Sequence, residues 1–314
     1  MMSTPRWPLV SPATQQFTVE DWNTRLGSVC GSFHTRTASG TVQGSVSMQS
    51  ILGIDMACIH VGPSQIVRSQ RDAQRDGSAY YFLIVQRASQ ARILQQNRSA
   101  LLDPGDMVVV DSSQQSDFAY TGSGTERISD QISVHIPRRM LEAGFARRHV
   151  GEKIPAQSDL AQCVWQQLTA LHTLSSVLQE PSLQTAHFQS LFLNTFMEIF
   201  SERKHQEKFV KVVRELLVNV GESACAVEHF ADMTCSSRRT FFRIFQERNI
   251  SFGELMKYIR LLRFLQLCRA APVDAPPPSV GAMAYEAGFT DISNFNRLFK
   301  NTFGVTPSVL VTHR

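Results

Sequence analysis

One stretch near the C-terminus combines a packing face with a face of polar and basic side chains. In GFTDISNFNRLFKNTFGVTP (288–307), a helix would place Phe295, Leu298 and Phe299 on one side. The other side would carry Ile292 together with a set suited to hydrogen bonds and charge contacts: Ser293, Asn296, Arg297 and Lys300. Asparagine can make two hydrogen bonds to adenine, and arginine can bind guanine or phosphate. The pattern predicts a helix that packs on one side and reads DNA with the other.

A stretch further upstream repeats this pattern. In AVEHFADMTCSSRRTFFRIFQER (226–248), Phe241, Ile244 and Phe245 fall at the spacing of a buried helical face. The cap position and the outward face supply candidate DNA contacts: Ser237, Arg238, Arg239, Phe242 and Arg243. An exposed phenylalanine can contact a thymine methyl group. Both stretches therefore predict a helix-turn-helix unit.

The turns and caps of these units follow from particular residues. Gly288 supplies a turn that favours a positive φ, and Thr290 or Asp291 caps the helix after it. Between the units, SFGELMKYIRLLRFLQLCRA (251–270) starts with Ser251 and Glu254 in a capping box. A helix of about 20 residues is roughly 30 Å long, close to the ~34 Å between successive major-groove sites. A generic helical bundle also exposes arginine and asparagine, but two such units joined by a spacer favour DNA reading.

The charge distribution agrees with this division. Residues 205–314 contain 14 Lys and Arg against 10 Asp and Glu, whereas residues 1–204 contain 17 of each kind. All of the net charge of +4 therefore lies in the last third. This distribution suits a nucleic-acid-binding module joined to a neutral one.

The first half of the chain has the pattern of an antiparallel β domain. Short segments rich in β-branched and aromatic residues alternate with turn residues, at 54–61, 79–86, 91–96, 106–111, 117–120 and 132–137. This spacing predicts a sandwich or a small barrel. Two helices are expected next, at 158–178 and 183–204, separated by Pro181. The broad apolar surface of the second, which includes Phe188 and Phe192, predicts either a dimerising hairpin or packing on the barrel.

A β domain of this kind commonly holds a small ligand in its interior. The candidate lining residues are Tyr81, Leu83, Met107, Val109, Phe118 and Tyr120. Strand alternation separates Tyr81 and Leu83 from Phe82 and Ile84, but it does not tell which pair points inward. Any of these side chains could instead simply fill the core.

The C-terminal third resembles the DNA-binding domain of the AraC/XylS family of transcription regulators. The matching stretches are FADMTCSSRRTFFRIF (230–245), YIRLLRFLQL (258–267) and MAYEAGFTDISNFNRLFKNTFGVTP (283–307). The resemblance implies that both reading helices enter adjacent major grooves, with base contacts from Arg239, Phe242, Arg243, Ile292, Ser293, Asn296 and Arg297. Cys235 stands where glycine is common, and Phe264 stands where alanine is usual. The family's tyrosine-arginine end is not evident at Val309-Leu310.

The N-terminal part resembles the cupin-like regulatory domain of one branch of that family. FTVEDWNTRLGSVCGSFHTR (17–36), LLDPGDMVVVDSS (101–113) and ISVHIPRRML (132–141) are similar to the FeaR-type activators of phenylethylamine and tyramine catabolism. The resemblance implies an aromatic aldehyde, or a related arylethylamine metabolite, as the inducer. It also implies binding to promoter direct repeats, recruitment of RNA polymerase and a homodimer.

Several other classes of function are disfavoured by what the sequence lacks. Catalytic cupins need two or three histidines and a carboxylate, whereas the barrel region offers His60 and His135 without H-x-H spacing. No G-x-S-x-G, P-loop or G-x-G-x-x-G motif is present, and none of the six cysteines forms a C-x-x-C pair. We therefore expect no enzyme activity, catalytic residue, cofactor or metal. Without a long apolar run or a signal-peptide h-region, a cytoplasmic location is expected.

The combined prediction is an α+β chain in three parts. Residues 1–137 form a cupin-like β-barrel that senses a ligand, residues 138–206 a helical connector and dimerisation region, and residues 207–314 an all-α DNA-binding domain with two helix-turn-helix units. The predicted function is a ligand-responsive transcriptional activator. The alternatives are a regulator of another pathway with a different inducer, a ligand-independent regulator whose barrel only dimerises, and a cupin enzyme fused to a DNA module.

Overall fold

The computed structural model describes residues 14–51, 54–77, 80–122, 128–141, 143–175, 186–219, 227–270 and 278–312. The chain divides into two compact units, Met1–Ala161 and Gln162–Arg314. Pro181, which separates the two predicted connector helices, and Ala226, the first residue of the upstream helix-turn-helix stretch, lie outside the described residues.

In its described residues the first unit is rich in strands, with three helices and a short 3₁₀ turn at Arg138–Met140. Its described strands are β1 (Gln15–Thr18), β2 (His34–Arg36), β3 (Thr41–Ile51), β4 (Ile54–Val61), β5 (Ser64–Arg68), β6 (Tyr80–Ala88), β7 (Ala91–Gln95), β8 (Arg98–Leu102), β9 (Met107–Asp111), β10 (Ser116–Tyr120), β11 (Ser129–Pro137) and β12 (Lys153–Ile154). Its helices are α1 (Val19–Cys30), α2 (Gln70–Asp76) and α3 (Ala143–His149). The six predicted strands are β4, β6, β7, β9, β10 and β11, with ends that differ by up to three residues.

The strands pair into two separate antiparallel sheets. The seven-stranded sheet has the order β1-β3-β4-β11-β6-β9-β12, and the five-stranded sheet has the order β2-β5-β10-β7-β8. Side chains from both sheets, such as Phe82 and Phe118, share one core with Trp22 of α1. Within the described strands no pairing joins the two sheets, so the cupin-like domain is a sandwich whose edges do not close into a barrel. The predicted α+β class, with a sheet-rich first half and a helical second half, is confirmed.

The second unit is helical. Its helices are α4 (Asp159–Ser175, which starts at the end of the first unit), α5 (Ala186–Glu198), α6 (Gln206–Asn219), α7 (Val227–Met233), α8 (Arg238–Gln246), α9 (Phe252–Ala270), α10 (Val280–Glu286), α11 (Ile292–Phe303) and α12 (Pro307–Thr312). The prediction of one helix over 183–204 was wrong at its C-terminal end. The side-chain amide of Gln206 donates to the carbonyl oxygens of Glu198 (2.7 Å) and Ile199 (2.9 Å). In a longer helix these two oxygens would accept from backbone amides of the next turn.

The aromatic face of α5 packs against helices of its own unit. The ring of Phe188 lies 5.2 Å from Tyr258 of α9 and 4.9 Å from Phe303 of α11. The ring of Phe192 also packs against Tyr258, at 6.3 Å between ring centroids. The Tyr258 hydroxyl donates to Gln167 of α4 at 3.2 Å. Helices α4 and α5 are therefore part of the hydrophobic core of the helical unit, which neither sequence-based alternative for this face anticipated.

Candidate DNA-reading surface and ligand cavity

The first reading helix, α8, has the predicted buried and exposed faces. The Ser237 side chain accepts from the Thr240 amide at 3.2 Å and caps the helix. Its three core residues are buried: Phe241, Ile244 and Phe245. The opposite side exposes Arg239, Phe242 and Arg243, and Phe242 keeps 37% of its surface in solvent. The exposed ring can contact a thymine methyl group at a base edge.

The turn before α8 is left-handed although it lacks glycine. Cys235 has a φ of 46°, a conformation in which a side chain crowds the backbone. The Ser236 amide donates to the Ala231 carbonyl oxygen at 2.8 Å. Lys208 of α6 donates to the Ser236 hydroxyl at 2.9 Å and to the Cys235 carbonyl oxygen at 3.3 Å. The cysteine that departs from the family pattern thus occupies the same kind of turn that glycine favours.

The second reading helix, α11, is held by more conventional elements. Gly288 has a φ of 90°, and the Asp291 carboxylate accepts from the Asn294 amide at 3.0 Å. Asp291, rather than Thr290, is therefore the cap. Its buried face is formed by Phe295, Phe299 and Phe303. The exposed face carries Ser293, Asn296, Arg297 and Lys300.

Two side chains of α11 differ from their predicted positions. Leu298, expected in the core, is half-buried, and Phe303 supplies the third core ring one turn further on. Ile292, expected on the outer face, is also half-buried at the start of the helix. Phe264 of α9, which stands where the family usually has alanine, is fully buried 4.7 Å from the Phe295 ring. The larger ring fills the core between the spacer helix and α11.

The cations of the two reading helices have different surroundings. Arg238 lies 3.1 Å from Glu228, and Arg243 lies 3.7 Å from Glu247. On α11, Arg297 donates to Asn294 at 3.2 Å, and Lys300 has no ion pair within the described part of the chain. Exposed ion pairs are weak and exchange readily with phosphate contacts. The α11 surface therefore presents its positive charge without nearby compensation, and the α8 surface presents it partly compensated.

A buried arginine fixes the C-terminal end of α8. Arg248 donates to the carbonyl oxygens of Ile244 (2.7 Å) and Lys204 (3.1 Å), and it approaches the Glu198 carboxylate at 3.5 Å. Its guanidinium lies 4.7 Å from the ring centroid of Phe209. Because Glu198 ends α5, this contact joins the connector to the first helix-turn-helix unit. At the other end of α5, the ring of Phe188 packs against α11, which belongs to the second unit.

The first unit contains a cavity between its two sheets and α1. The space is about 340 Å³, counting the part open to solvent. Four aromatic residues line it, namely Phe33, Phe82, Phe118 and Tyr120, together with the aliphatic side chains of Leu26, Ile59, Ile66 and Ile84. The remaining lining residues are Cys30, Gln131 and Ser133. Pockets lined by apolar and aromatic side chains with a few polar groups are typical of small-molecule sites.

The cavity contains two of the six residues predicted to bind ligand. Phe118 and Tyr120 line it, whereas Tyr81, Leu83, Met107 and Val109 do not. Phe82 and Ile84 face the cavity, so their neighbours Tyr81 and Leu83 lie on the opposite face of the same sheet. There, Tyr81 packs against the Arg138 guanidinium at 4.7 Å from the ring centroid. Met107 and Val109 share that face because they pair with Val85 and Leu83.

Burial keeps the titratable groups around the cavity neutral. It raises the pKa of the Cys30 thiol to about 12 and raises the pKa of Tyr120 above its ordinary value. Burial also lowers the pKa of His135, whose ring lies 4.6 Å from Phe82, to about 4. The nearest arginine, Arg68, is paired with Asp76 at 2.8 Å. The cavity therefore offers polar groups but no uncompensated charge.

The other predicted histidine takes part in a polar row on the opposite sheet face. His60 lies between the Ser45 hydroxyl (3.0 Å) and the Asp130 carboxylate (3.2 Å), and Arg87 also pairs with Asp130. Burial opposes ionisation of Asp130, but the contacts with His60 and Arg87 outweigh it and lower the pKa of that carboxyl. These side chains cross-link neighbouring strands of the seven-stranded sheet.

None of the helices that the structure describes is long and apolar enough to cross a membrane.

Both halves of the chain match known families. Residues 22–197 match the AraC-binding-like domain, and residues 230–312 match the Helix-turn-helix domain. The chain is 29% identical over 116 residues to an uncharacterised protein in the nit 5′ region of Bacillus sp. (strain OxB-1), which covers 37% of the chain and 42% of that protein. The chain thus spans less than half the length of that relative.

A second relative aligns over most of the chain. It is the transcriptional activator NphR of Rhodococcus sp, 21% identical over 269 residues, covering 82% of the chain and 77% of NphR. Among solved structures, the AraC-like transcriptional activator CuxR is 12% identical with a TM-score of 0.47, covering 87% of the chain and 99% of CuxR.

Proposed function

Because the chain belongs to the AraC family of transcriptional regulators, we propose that it activates transcription in response to an aromatic metabolite. The family consists of ligand-binding, DNA-binding regulators rather than enzymes. The proposal adds three specific points: activation, aromatic-amine (phenylethylamine or tyramine) catabolic genes as targets, and an aromatic aldehyde or related metabolite as inducer.

The observation that carries the DNA-binding part is the pair of exposed reading faces on α8 and α11. We assign base and phosphate contacts to the predicted set: Ser237, Arg238, Arg239, Phe242, Arg243, Ile292, Ser293, Asn296, Arg297 and Lys300. Support comes from the exposure of Arg239, Asn296 and Arg297 beside fully buried aromatic faces. The spacer α9 has 19 residues, roughly 28 Å at ~1.5 Å per residue, which suits two adjacent major-groove sites.

Selection of duplexes from a random DNA pool by the full chain tests this part. The expected result is enrichment of direct repeats whose centres are separated by about 10–10.5 base pairs, one turn of the double helix. The selected duplex should also be protected from cleavage over both repeats. Enrichment of a single short site would mean that only one unit reads sequence, and no enrichment would contradict the proposal.

The inducer is supported by two observations. The N-terminal stretches resemble the FeaR-type branch, and the cavity is lined by four aromatic rings. The thermal unfolding midpoint should be measured with phenylacetaldehyde, 4-hydroxyphenylacetaldehyde, phenylethylamine, tyramine, benzoate and aliphatic controls. A ligand that binds only the folded state raises the midpoint as its concentration rises. A selective rise with an aryl aldehyde is expected; a rise with only another compound would assign the chain to a different pathway.

We propose that α5 carries the signal to the DNA-binding domain. One end of this helix meets α11 through Phe188, and the other meets the end of α8 through Glu198. A ligand-dependent shift of α5 would therefore change the relative position of both reading helices, and a ligand shifts such an equilibrium by its difference in affinity for the two states. In this proposal residues 1–137 sense the ligand, residues 138–206 connect and dimerise, and residues 207–314 bind DNA.

The remaining parts of the proposal concern partners and location. We propose a cytoplasmic homodimer that recruits RNA polymerase at promoter direct repeats. The alternative is a ligand-independent regulator whose β domain only dimerises. Sedimentation of the full chain with and without 4-hydroxyphenylacetaldehyde tests for the dimer. If the chain is a dimer and no compound of the panel changes its unfolding midpoint or its DNA affinity, the alternative is favoured.

A further inference from the structure

The cavity of the first unit contains buried hydrogen-bonding atoms that the protein leaves without a partner. The Ser133 hydroxyl and the Gln131 side-chain oxygen are both buried and make no hydrogen bond. Ser133 is 1% exposed and Gln131 is 2% exposed, and both line the cavity. A buried polar atom without a partner has lost its hydrogen bond to water and gained none in return, which destabilises the folded state. Two such atoms at the wall of one cavity indicate a site completed by a ligand.

The two groups are arranged on one face of β11. They lie two residues apart in the strand, which places both side chains on the side of Phe82 and Ile84. The Gln131 side chain also makes a hydrogen bond with the Tyr120 hydroxyl. A polar edge thus runs along one wall, and the opposite wall contains the Phe33 and Phe118 rings, 5.9 Å apart.

From this arrangement we infer that the cavity binds an uncharged, single-ring aromatic compound with a hydroxyl group, held by Ser133 and Gln131. This inference rests on the proposed function, which supplies the aromatic inducer, and it narrows the chemical class of that inducer. A hydroxyl both donates and accepts, so it satisfies the serine and the amide whichever way the amide is turned. An ether or carbonyl oxygen only accepts and leaves one partner unmet.

Charge and size narrow the ligand class further. None of the described lining residues bears a formal charge, and the thiol of Cys30 stays protonated because burial raises its pKa. An ammonium or carboxylate group would enter without a counter-ion, which is costly in an apolar site. Because the space of about 340 Å³ includes the part open to solvent, it can hold no more than one ring with a short substituent.

A matched set of probes tests the inference on the full chain by titration calorimetry. The set is 4-ethylphenol, ethylbenzene without the hydroxyl, 4-ethylanisole with an ether, tyramine with an ammonium and 4-hydroxyphenylacetate with a carboxylate. We expect 4-ethylphenol to bind about tenfold more tightly than ethylbenzene or 4-ethylanisole. We expect it to bind more than about a hundredfold more tightly than either charged compound.

Two serine variants make the assignment specific. Ser133→Ala is expected to weaken 4-ethylphenol binding about tenfold and to leave ethylbenzene binding unchanged. Without ligand, it should keep or raise the unfolding midpoint, because it removes an unpaired buried hydroxyl. The control, Ser45→Ala, removes a buried serine on the opposite face of the sheet, where the hydroxyl contacts His60. It should lower the midpoint but preserve the ratio of 4-ethylphenol to ethylbenzene affinity.

The inference is overturned if the charged probes bind as tightly as 4-ethylphenol. It is also overturned if Ser133→Ala weakens both neutral probes alike or neither, or if no probe binds. The proposed function fails separately. If 4-hydroxyphenylacetaldehyde binds and Ser133→Ala leaves its affinity unchanged, the proposed inducer stands but its assignment to this cavity is wrong. If no probe binds but direct repeats are still selected, the proposed DNA binding stands.

Discussion

The two helix-turn-helix units share a plan but are anchored to the rest of the helical unit in different ways. Each ends in a reading helix with a side-chain cap and a buried aromatic face. The first is attached to the connector helix α5 by the buried Arg248–Glu198 contact, and the second by the ring contact between Phe188 and Phe303. Hydrogen bonds to the Ile244 and Lys204 carbonyl oxygens hold the Arg248 guanidinium in place beside Glu198, whereas ring packing tolerates small displacements. The position of α8 should therefore depend more closely on α5 than the position of α11 does.

The largest expected effect comes from breaking the polar anchor. Arg248→Met should destabilise the first helix-turn-helix unit by about 3–5 kcal/mol, because Glu198, with a side chain only 13% exposed, keeps only the more exposed Arg203 as a guanidinium partner. The measurement is hydrogen exchange of peptides from residues 238–250 against urea concentration. The double variant Glu198→Leu with Arg248→Met should recover most of the loss, since an apolar pair can replace a buried ion pair.

Arg203 provides the matched control for that experiment. It also approaches Glu198, at 3.4 Å, but its side chain is 44% exposed. Arg203→Met should cost no more than about 1 kcal/mol, as is usual for an exposed pair. Equal losses for Arg203→Met and Arg248→Met would mean that burial does not distinguish the two arginines, and the polar-anchor account would be wrong.

The next effect concerns the two reading faces. Arg239→Ala and Arg297→Ala should each weaken binding to the selected repeat by about 1–3 kcal/mol, with relaxed sequence preference in the half-site that each helix reads. Gel-shift titration and footprinting measure both quantities. Arg92→Ala, an exposed arginine of the first unit, should stay within about 0.5 kcal/mol. If both reading variants bind like the parent chain, the assigned faces are wrong.

The caps give a smaller and unequal pair of effects. Ser237→Ala and Asp291→Ala each remove a side chain that accepts from a backbone amide, which costs about 1 kcal/mol. Asp291 also places a negative charge at a helix N-terminus, worth a further ~0.3–1 kcal/mol. Asp291→Asn should lose only this second part. The measurement is urea unfolding followed by helix circular dichroism at low and high salt; equal losses for all three variants would contradict it.

The smallest effect lies in the two turns. Cys235→Gly should stabilise the first unit by up to about 1 kcal/mol, because glycine removes the side-chain crowding of a left-handed residue. The greater conformational entropy of glycine in the unfolded chain offsets part of this gain. Gly288→Ala should have the opposite sign and cost about 1 kcal/mol. Thermal unfolding midpoints of the two variants test this contrast. A lower midpoint for Cys235→Gly would show that the thiol makes a favourable contact that outweighs the strain.

Local signals in the sequence were enough to predict the reading helices and six of the twelve described strands. Caps such as Ser237 and Asp291, and the spacing of the phenylalanines, are set by neighbouring residues along the chain, so they can be recognised without a structure. Strands β4, β7 and β10 were predictable because turn residues flank short β-branched and aromatic runs. Strand β3 and helix α2 lack such clear boundaries and were not predicted.

The cavity and the polar anchor could not be predicted in the same way. Residues 81–85 of β6 are buried on both sheet faces, so alternation gives no contrast between the inward and the outward side. This is why Tyr81 and Leu83 were proposed as lining residues while Phe82 and Ile84 are the ones that line the cavity. Arg248 and Glu198 are far apart in sequence, and nothing near either residue identifies its partner.

The packing of α5 on Tyr258 and Phe303 also defines what can be exchanged between relatives by protein engineering. A chimera cut at residue 207 would leave these two rings without the Phe188 side chain that packs on them, and exposed aromatic surface promotes aggregation. A cut before residue 159 would transfer α4 and α5 together with both helix-turn-helix units. The segment to transfer when this regulator is fused to another sensor, residues 159–314, is therefore nearly half as long again as the predicted DNA-binding domain, residues 207–314.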